Sequence, residues 1–198
     1  MINENDRAFY TMQCAALDRL RGRAHEDICA KGSVDFCDGA FRFESMGRQL
    51  RVSYPDFCIA PEQNPWFTLS ILHYLASADG TPLSGRQITF AQYKDGLIRG
   101  GGFDRDAEKA IQTQLGTMPA QELERRCLAL GAKLVPSKAD FCAEFRFMPN
   151  YPLWLKLWFA DDEFPASGRM LLDASAEQYL SVEDAVMLGT FIIDALIS

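Results

Sequence analysis

The chain has 198 residues, of which 48% are hydrophobic and 24% are charged, and its formal net charge is −7. This length can bury a sizeable hydrophobic core, and the balance of apolar and charged residues is that of a folded globular protein, which excludes intrinsic disorder. The acidic charge argues against binding to nucleic acid and to anionic membranes, because both need a basic protein surface.

The first 60 residues predict one helix and one β-hairpin. Apolar residues recur at three- and four-residue steps over residues 5–20, which indicates an amphipathic helix. Two segments of alternating apolar and polar residues, 41–44 and 50–54, flank Met46-Gly47 and predict the hairpin.

A central helix is predicted over residues 66–78. Asn64 is a preferred N-cap residue, and Pro65 suits the first helical position, where its missing N–H costs nothing. Because this helix is apolar around most of its circumference, we expect it to be buried in the middle of the fold. A strand over residues 87–93 is expected to follow.

The second half of the chain predicts helices and strands in mixed order. Gly100-Gly101-Gly102 indicates a mobile connection to a helix capped by Asp104. The next predicted elements are a helix over 123–130, strands over 141–147, 153–159 and 169–172, and a last helix that starts at the capping box of Ser181 and Asp184. Without a regular βαβ rhythm, the sequence predicts a single α+β domain over residues 1–198, with a largely antiparallel sheet packed against several helices.

Targeting and cysteine signals predict a cytoplasmic protein. The polar, acidic segment 1–6 lacks the basic and apolar regions of a signal peptide. The longest apolar stretches, 69–76 and 186–193, are far shorter than the ~20 residues that a membrane span needs. The six cysteines stand at wide spacings without a C-x-x-C pair, so we expect reduced thiols and no iron–sulfur cluster of the chain's own.

Two groups of segments resemble a known family. The first group is Leu72-His73-Tyr74-Leu75 with Gly80-Thr81-Pro82-Leu83-Ser84-Gly85. The second group is Asp162-Glu163-Phe164-Pro165-Ala166 with Tyr179-Leu180-Ser181-Val182-Glu183-Asp184. Together they resemble, over residues 48–198, the bacterial and archaeal family known as domain of unknown function 3786. The resemblance implies a cytoplasmic protein of anaerobes, some of whose relatives carry a cysteine-rich, iron–sulfur-type segment that this sequence does not contain. It implies no particular activity.

His73 is the first candidate site residue. Ser70, His73 and Ser77 are spaced so that they share the one polar strip of the 66–78 helix, close to Trp66 and Tyr74. An imidazole among aromatic rings suits an axial ligand to a tetrapyrrole metal, a general base, or a hydrogen-bonding group in a pocket. The alternative is a strip that faces solvent, or a ring that a neighbouring carbonyl satisfies.

Trp154 and Trp158 are further candidates for binding a flat cofactor. An even separation places both indoles on one face of the predicted strand, where they could line a pocket for a flat ligand or contact a partner. Packing in the core explains them equally well.

Acidic residues form the alternative site. If the segments that contain Asp162, Glu163 and Asp173 pair as neighbouring strands, their carboxylates could converge on a hard cation such as Mg²⁺ or act as an acid–base pair. The alternative is a solvated turn whose carboxylates cap backbone N–H groups.

Two functions follow from these candidates. The first is a noncatalytic binding or accessory protein of anaerobic metabolism, which holds a tetrapyrrole or corrinoid cofactor, or docks onto an iron–sulfur or corrinoid enzyme, through the His73 helix and the aromatic strands. The second is a small metal-assisted hydrolase that uses Asp162, Glu163 and Asp173. The second function requires those acids to converge in one concave pocket.

Overall fold

The computed structural model describes the backbone of residues 4–198 and the side chains of residues 7–198, so part of the acidic segment 1–6 lies outside it. Within this range the chain forms six α-helices and two antiparallel sheets, which confirms the predicted α+β class. The helices are α1 (Glu4–Arg21), α2 (His25–Gly32), α3 (Pro65–Ser77), α4 (Gly96–Thr113), α5 (Ala120–Ala129) and α6 (Val182–Ile197). Among the residues that the structure describes, every helix is too short or too polar to span a membrane.

The strands divide into two sheets, where the sequence predicts one. The first sheet has the order β1-β2-β3-β4, and the second has the order β5-β9-β8-β7-β6. The strands are β1 (Asp35–Cys37), β2 (Ala40–Ser45), β3 (Arg48–Ser53), β4 (Ile59–Ala60), β5 (Gln87–Ile88), β6 (Lys133–Leu134), β7 (Phe141–Met148), β8 (Tyr151–Trp158) and β9 (Ser167–Asp173). The predicted hairpin is β2–β3, in which Ser45 pairs with Arg48 across the turn.

Helix α3 lies in the middle of the fold, as its apolar circumference predicts. The side chain of Asn64 accepts a hydrogen bond from the Trp66 N–H (2.9 Å), and Pro65 occupies the first turn. The Phe67 ring lies 5.1 Å from the ring of Phe147 on β7 and 5.5 Å from that of Phe191 on α6. This packing holds α3 between the second sheet and the last helix.

The predicted start of helix α4, with Asp104 as its N-cap, is wrong. Helix α4 begins at Gly96, and the three glycines lie inside it instead of forming a mobile connection. A Cβ atom at Gly100 would lie 2.0 Å from the Phe90 carbonyl oxygen, so glycine permits this close approach. Asp104 lies within α4 and accepts hydrogen bonds from the backbone N–H groups of Phe90 (3.2 Å) and Ala91 (2.9 Å). Asp104 therefore caps the 3-10 helix at Phe90–Gln92 and does not cap the start of α4.

The predicted strand over residues 87–93 is also only partly present. Its first two residues form β5, and the chain then turns into a 3-10 helix at Phe90–Gln92. The side chains of Thr89 and Gln92 form a capping box around this turn, which stabilises it against the extended form.

Candidate functional site

An open cavity of about 540 Å³ lies beside α3, against the start of α6. Its volume falls within the usual range of small-molecule sites, about 300–1,000 Å³. Helices α3 and α6 supply most of the walls, and α1 and α4 each add one residue. The lining residues are Met12, Trp66, Leu69, Ser70, His73, Arg99, Ser181, Glu183, Asp184 and Met187.

A histidine–aspartate pair lies in the wall of this cavity, which we call the His73 cavity. The Nδ1 atom of His73 lies 2.8 Å from Oδ1 of Asp184, and the two side chains are 23% and 12% exposed. The hydroxyl of Ser70 donates a longer hydrogen bond (3.4 Å) to the same oxygen. The other carboxylate oxygen, Oδ2, accepts a hydrogen bond from the Ser181 hydroxyl (2.8 Å). Asp184 is therefore held from both sides.

This contact determines which nitrogen of the neutral imidazole carries the proton. A carboxylate accepts hydrogen bonds, so Nδ1 of His73 is the donor and Nε2 keeps its lone pair. Within residues 7–198, Nε2 makes no hydrogen bond. A histidine whose Nδ1–H is held by a carboxylate is the usual arrangement of a metal-binding histidine, because the carboxylate orients the ring and makes Nε2 more basic.

A buried tyrosine pair lies within electrostatic range of Asp184. The hydroxyl of Tyr93 donates to the Leu180 carbonyl (2.9 Å) and lies 3.3 Å from the hydroxyl of Tyr151. Burial raises the pKa of both phenols well above the ordinary value, and the negative charge of Asp184 raises it further. Both phenols therefore stay neutral, and Tyr93 holds the Leu180 carbonyl just before the start of α6.

A family model described as Domain of unknown function (DUF3786) matches residues 24–195. The chain belongs to this family. No curated protein and no solved structure matches the chain. In this DUF3786 chain, the two segments that carry the resemblance meet in space, because His73 comes from the first and its partner Asp184 from the second.

Of the aromatic residues predicted beside His73, one lines the cavity and one does not. Trp66 is 44% exposed, and its ring meets the Phe9 ring edge-on at 5.1 Å. Tyr74 is fully buried on another face of α3, where its hydroxyl donates to the Gly32 carbonyl (3.0 Å). Tyr74 therefore belongs to the core of the DUF3786 chain.

The two predicted strand tryptophans lie elsewhere. Trp154 and Trp158 are both on β8, separated by an even number of residues as predicted, but neither lines the His73 cavity. Trp154 is half-buried on the second sheet, opposite Leu171 of β9. Trp158 lines a different cavity, beside α4.

The structure does not bring the predicted acidic cluster together. Asp162 and Glu163 are exposed in the loop between β8 and β9, whereas Asp173 is the last residue of β9. A strand of this length separates its two ends by about 20 Å. Asp173 is 1% exposed and accepts hydrogen bonds from the backbone and hydroxyl groups of Ser84 and Ser175. These contacts indicate a structural role for Asp173.

The thiols show no convergence either. All six cysteines are free, and residues 7–198 contain no group of three or more His, Cys, Asp or Glu side chains placed to hold a metal ion. Cys127 is the most deeply buried of the thiols, and burial raises its pKa to about 12.

Sequence reasoning missed Asp184 as a site residue. The capping box of α6 identifies Asp184 as an N-terminal helix residue, and the structure confirms that role. Its second partner, His73, is 111 residues away in the chain, so no local pattern reports the contact. Only the presence of both residues in the segments that carry the family resemblance connects them.

Proposed function

We propose that the chain is a noncatalytic protein that binds a flat, metal-bearing cofactor of the tetrapyrrole or corrinoid class in the His73 cavity. The observation that carries this proposal is the 2.8 Å contact between His73 Nδ1 and Asp184 Oδ1, which leaves Nε2 as a lone-pair donor at a cavity wall. The imidazole of such a histidine is a common axial ligand to the metal of a tetrapyrrole.

The walls of the cavity suit the body of such a cofactor. Trp66, Leu69 and Met187 present apolar surface on α3 and α6. Apolar walls with a few placed polar groups are typical of cofactor sites. Arg99 lies at the exposed edge of the cavity, where its guanidinium could pair with carboxylates on the rim of a macrocycle. With His73 as the axial ligand, the macrocycle itself would supply the other nitrogen ligands of the metal.

The hydrolytic alternative has less support. Asp162 and Glu163 lie at the opposite end of β9 from Asp173. A serine triad needs the hydroxyl on the free nitrogen of the histidine, whereas Ser70 and His73 both contact the carboxylate of Asp184. An activated serine is therefore missing from the part of the site that the structure describes. These contacts favour binding over nucleophilic catalysis.

Titration with two named cofactors tests the proposal. Purified protein would be mixed with hemin and, separately, with hydroxocobalamin, and its absorption spectrum followed. We expect one of them to give a saturable band shift at one equivalent in the parent protein. His73→Ala should abolish the shift because the axial ligand is lost. His25→Ala is the matched control, since the ring of His25, the chain's other histidine, stacks on Phe36 at 4.2 Å and lies outside the cavity.

Two outcomes contradict the proposal. If His73→Ala binds as tightly as the parent and as His25→Ala, adsorption of the cofactor elsewhere explains the shift. If neither cofactor gives a saturable shift in the parent protein, the cavity does not bind this class of ligand. An absorption spectrum of protein purified without oxygen provides an independent check, because a bound tetrapyrrole or corrinoid would be visible directly.

The role of Asp184 can be separated from its role as a helix cap. Asp184→Asn removes the charge that orients His73, and the loss of such a partner costs about 10–100-fold in metal affinity. Ser181→Ala is the control, because it removes the hydroxyl that caps α6 and leaves the His73–Asp184 contact in place. We expect Ser181→Ala to lower the free energy of unfolding by about 1 kcal/mol. Because the Ser181 hydroxyl lines the cavity but contacts only Oδ2 of Asp184, this variant should weaken cofactor binding less than Asp184→Asn does.

A further inference from the structure

A second cavity, of about 390 Å³, lies where α4 meets the end of β8 and the start of β9. Here β9 has an open edge, since β5 pairs only with its last two residues. Helix α4 contributes residues spaced by three and four, which places them on one helix face. The lining of this cavity includes Arg105, Glu108, Lys109, Trp158, Ser167 and Arg169.

The charge of this cavity is opposite to that of the whole chain. Three cationic side chains, Arg105, Lys109 and Arg169, face one carboxylate, Glu108, in a protein of net charge −7. The only ion pair among them is a loose contact of 3.9 Å between Arg169 and Glu108. Arg105 and Lys109 form no ion pair within residues 7–198. The cavity therefore concentrates unneutralised positive charge.

An indole lies beside these cations. Trp158 is 37% exposed at the end of β8, and no other aromatic ring of the described residues stacks on it. Ser167, directly opposite Trp158 on β9, adds a hydroxyl group to the same cavity. A partly exposed indole offers a flat apolar surface, and exposed aromatic side chains of this kind are stacking platforms for nucleobases.

We propose that this cavity binds a nucleotide, with the phosphates on Arg105, Lys109 and Arg169 and the base on Trp158. Guanidinium and ammonium groups form charge-assisted hydrogen bonds to phosphate oxygens, and arginine can do so in a bidentate way. The volume suits a mononucleotide. A long polynucleotide would meet the acidic remainder of the surface, which disfavours it.

Fluorescence titration with ATP tests this site, with adenosine and inorganic pyrophosphate as probes for the two halves of the ligand. We expect saturable quenching of tryptophan fluorescence by ATP, and weaker binding of either half. Trp158→Phe should remove most of the quenching, whereas Trp154→Phe on the same strand should keep it. Calorimetry then measures the affinity of the variant that has lost the signal.

Charge variants test the phosphate contacts. Arg169→Gln should weaken ATP binding about tenfold, the usual cost of losing a hydrogen bond from a charged group. Lys156→Gln is the matched control. Lys156 on β8 lies directly opposite Arg169 in the register of β8 and β9, but it does not line the cavity. The proposal is overturned if the parent shows no saturable ATP binding, or if Arg169→Gln and Lys156→Gln bind equally well. Thermal melting verifies that each variant is folded.

Discussion

The carboxylate of Asp173 provides a sharp test of the packing around the second sheet. It accepts five hydrogen bonds, four of them on Oδ1, from the N–H and hydroxyl groups of Ser84 and Ser175, and one on Oδ2, from the Gly85 N–H. These contacts fasten the segment before β5 to the end of β9. Asp173→Asn places an amide oxygen at Oδ1 and an NH₂ group against the Gly85 N–H, so two donors face each other.

The expected cost of Asp173→Asn is about 2 kcal/mol, from one lost charge-assisted hydrogen bond and one buried donor without an acceptor. Urea unfolding followed by tryptophan fluorescence measures this difference. Asp162→Asn is the matched control, because Asp162 is exposed in a loop and should stay within about 0.5 kcal/mol of the parent. If Asp173→Asn is as stable as Asp162→Asn, the assignment of a structural role to Asp173 is wrong.

The same carboxylate predicts a dependence on pH. Burial raises the pKa of Asp173, but hydrogen bonds from Ser175 and Ser84 more than offset it, so the net pKa lies below the ordinary value. The unfolded chain then binds this proton more readily, near pH 3.9. The stabilisation is fully present above that pH and is lost as the pH falls through the lower, folded pKa. The difference between parent and Asp173→Asn should therefore shrink in acid.

Two further outcomes test the core and the thiols. Gly189→Ala should lower the free energy of unfolding by about 1–3 kcal/mol, because the added Cβ atom would lie 2.4 Å from the ring of Phe103. Urea unfolding measures this change. A variant as stable as the parent would show that α4 and α6 separate easily to make room. At pH 8 a thiol reagent should modify the exposed Cys37 and Cys58 quickly. It should modify Cys127 only on unfolding, because burial raises the pKa of that thiol to about 12. Fast labelling of Cys127 in the folded protein would contradict its burial.

Elements with strong local signals were predictable from the sequence. The N-cap at Asn64 and the proline after it locate α3 to within one residue at each end, since the prediction is 66–78 and the helix is Pro65–Ser77. Helix α2 was missed because it has only 8 residues, begins after Ala24 without a side-chain cap, and has Ser33 instead of glycine at its left-handed C-cap position after Gly32. Helix ends without a preferred capping residue are hard to recognise from sequence alone.

The glycine run shows a different limit. Gly100-Gly101-Gly102 has low helix propensity and predicts a break. In the structure the missing side chain of Gly100 lets α4 pack directly on the Phe90 backbone, and that tertiary contact outweighs the local preference. The prediction depends on a neighbour that sequence patterns do not reveal.

The residues of the candidate site were also only partly predictable from the sequence. His73 and Trp66 were found because a polar residue on an apolar helix is conspicuous, and both line one cavity. Tyr74 was grouped with them through its position next to His73, although adjacent helical residues point in different directions. Asp184 was seen only as a cap. Its contact with His73 is long-range and needed coordinates.

Nitrogen NMR of the two histidines tests the central claim most directly. Long-range ¹H–¹⁵N correlation spectra distinguish the two neutral imidazole tautomers, and zinc protoporphyrin is a diamagnetic probe for the cavity. We predict that His73 carries its proton on Nδ1, and that its Nε2 resonance shifts on addition of the porphyrin while His25 is unaffected. A proton on Nε2 of His73, or an Nε2 resonance that the porphyrin leaves unchanged, would contradict the claim that Asp184 prepares this nitrogen to bind a metal.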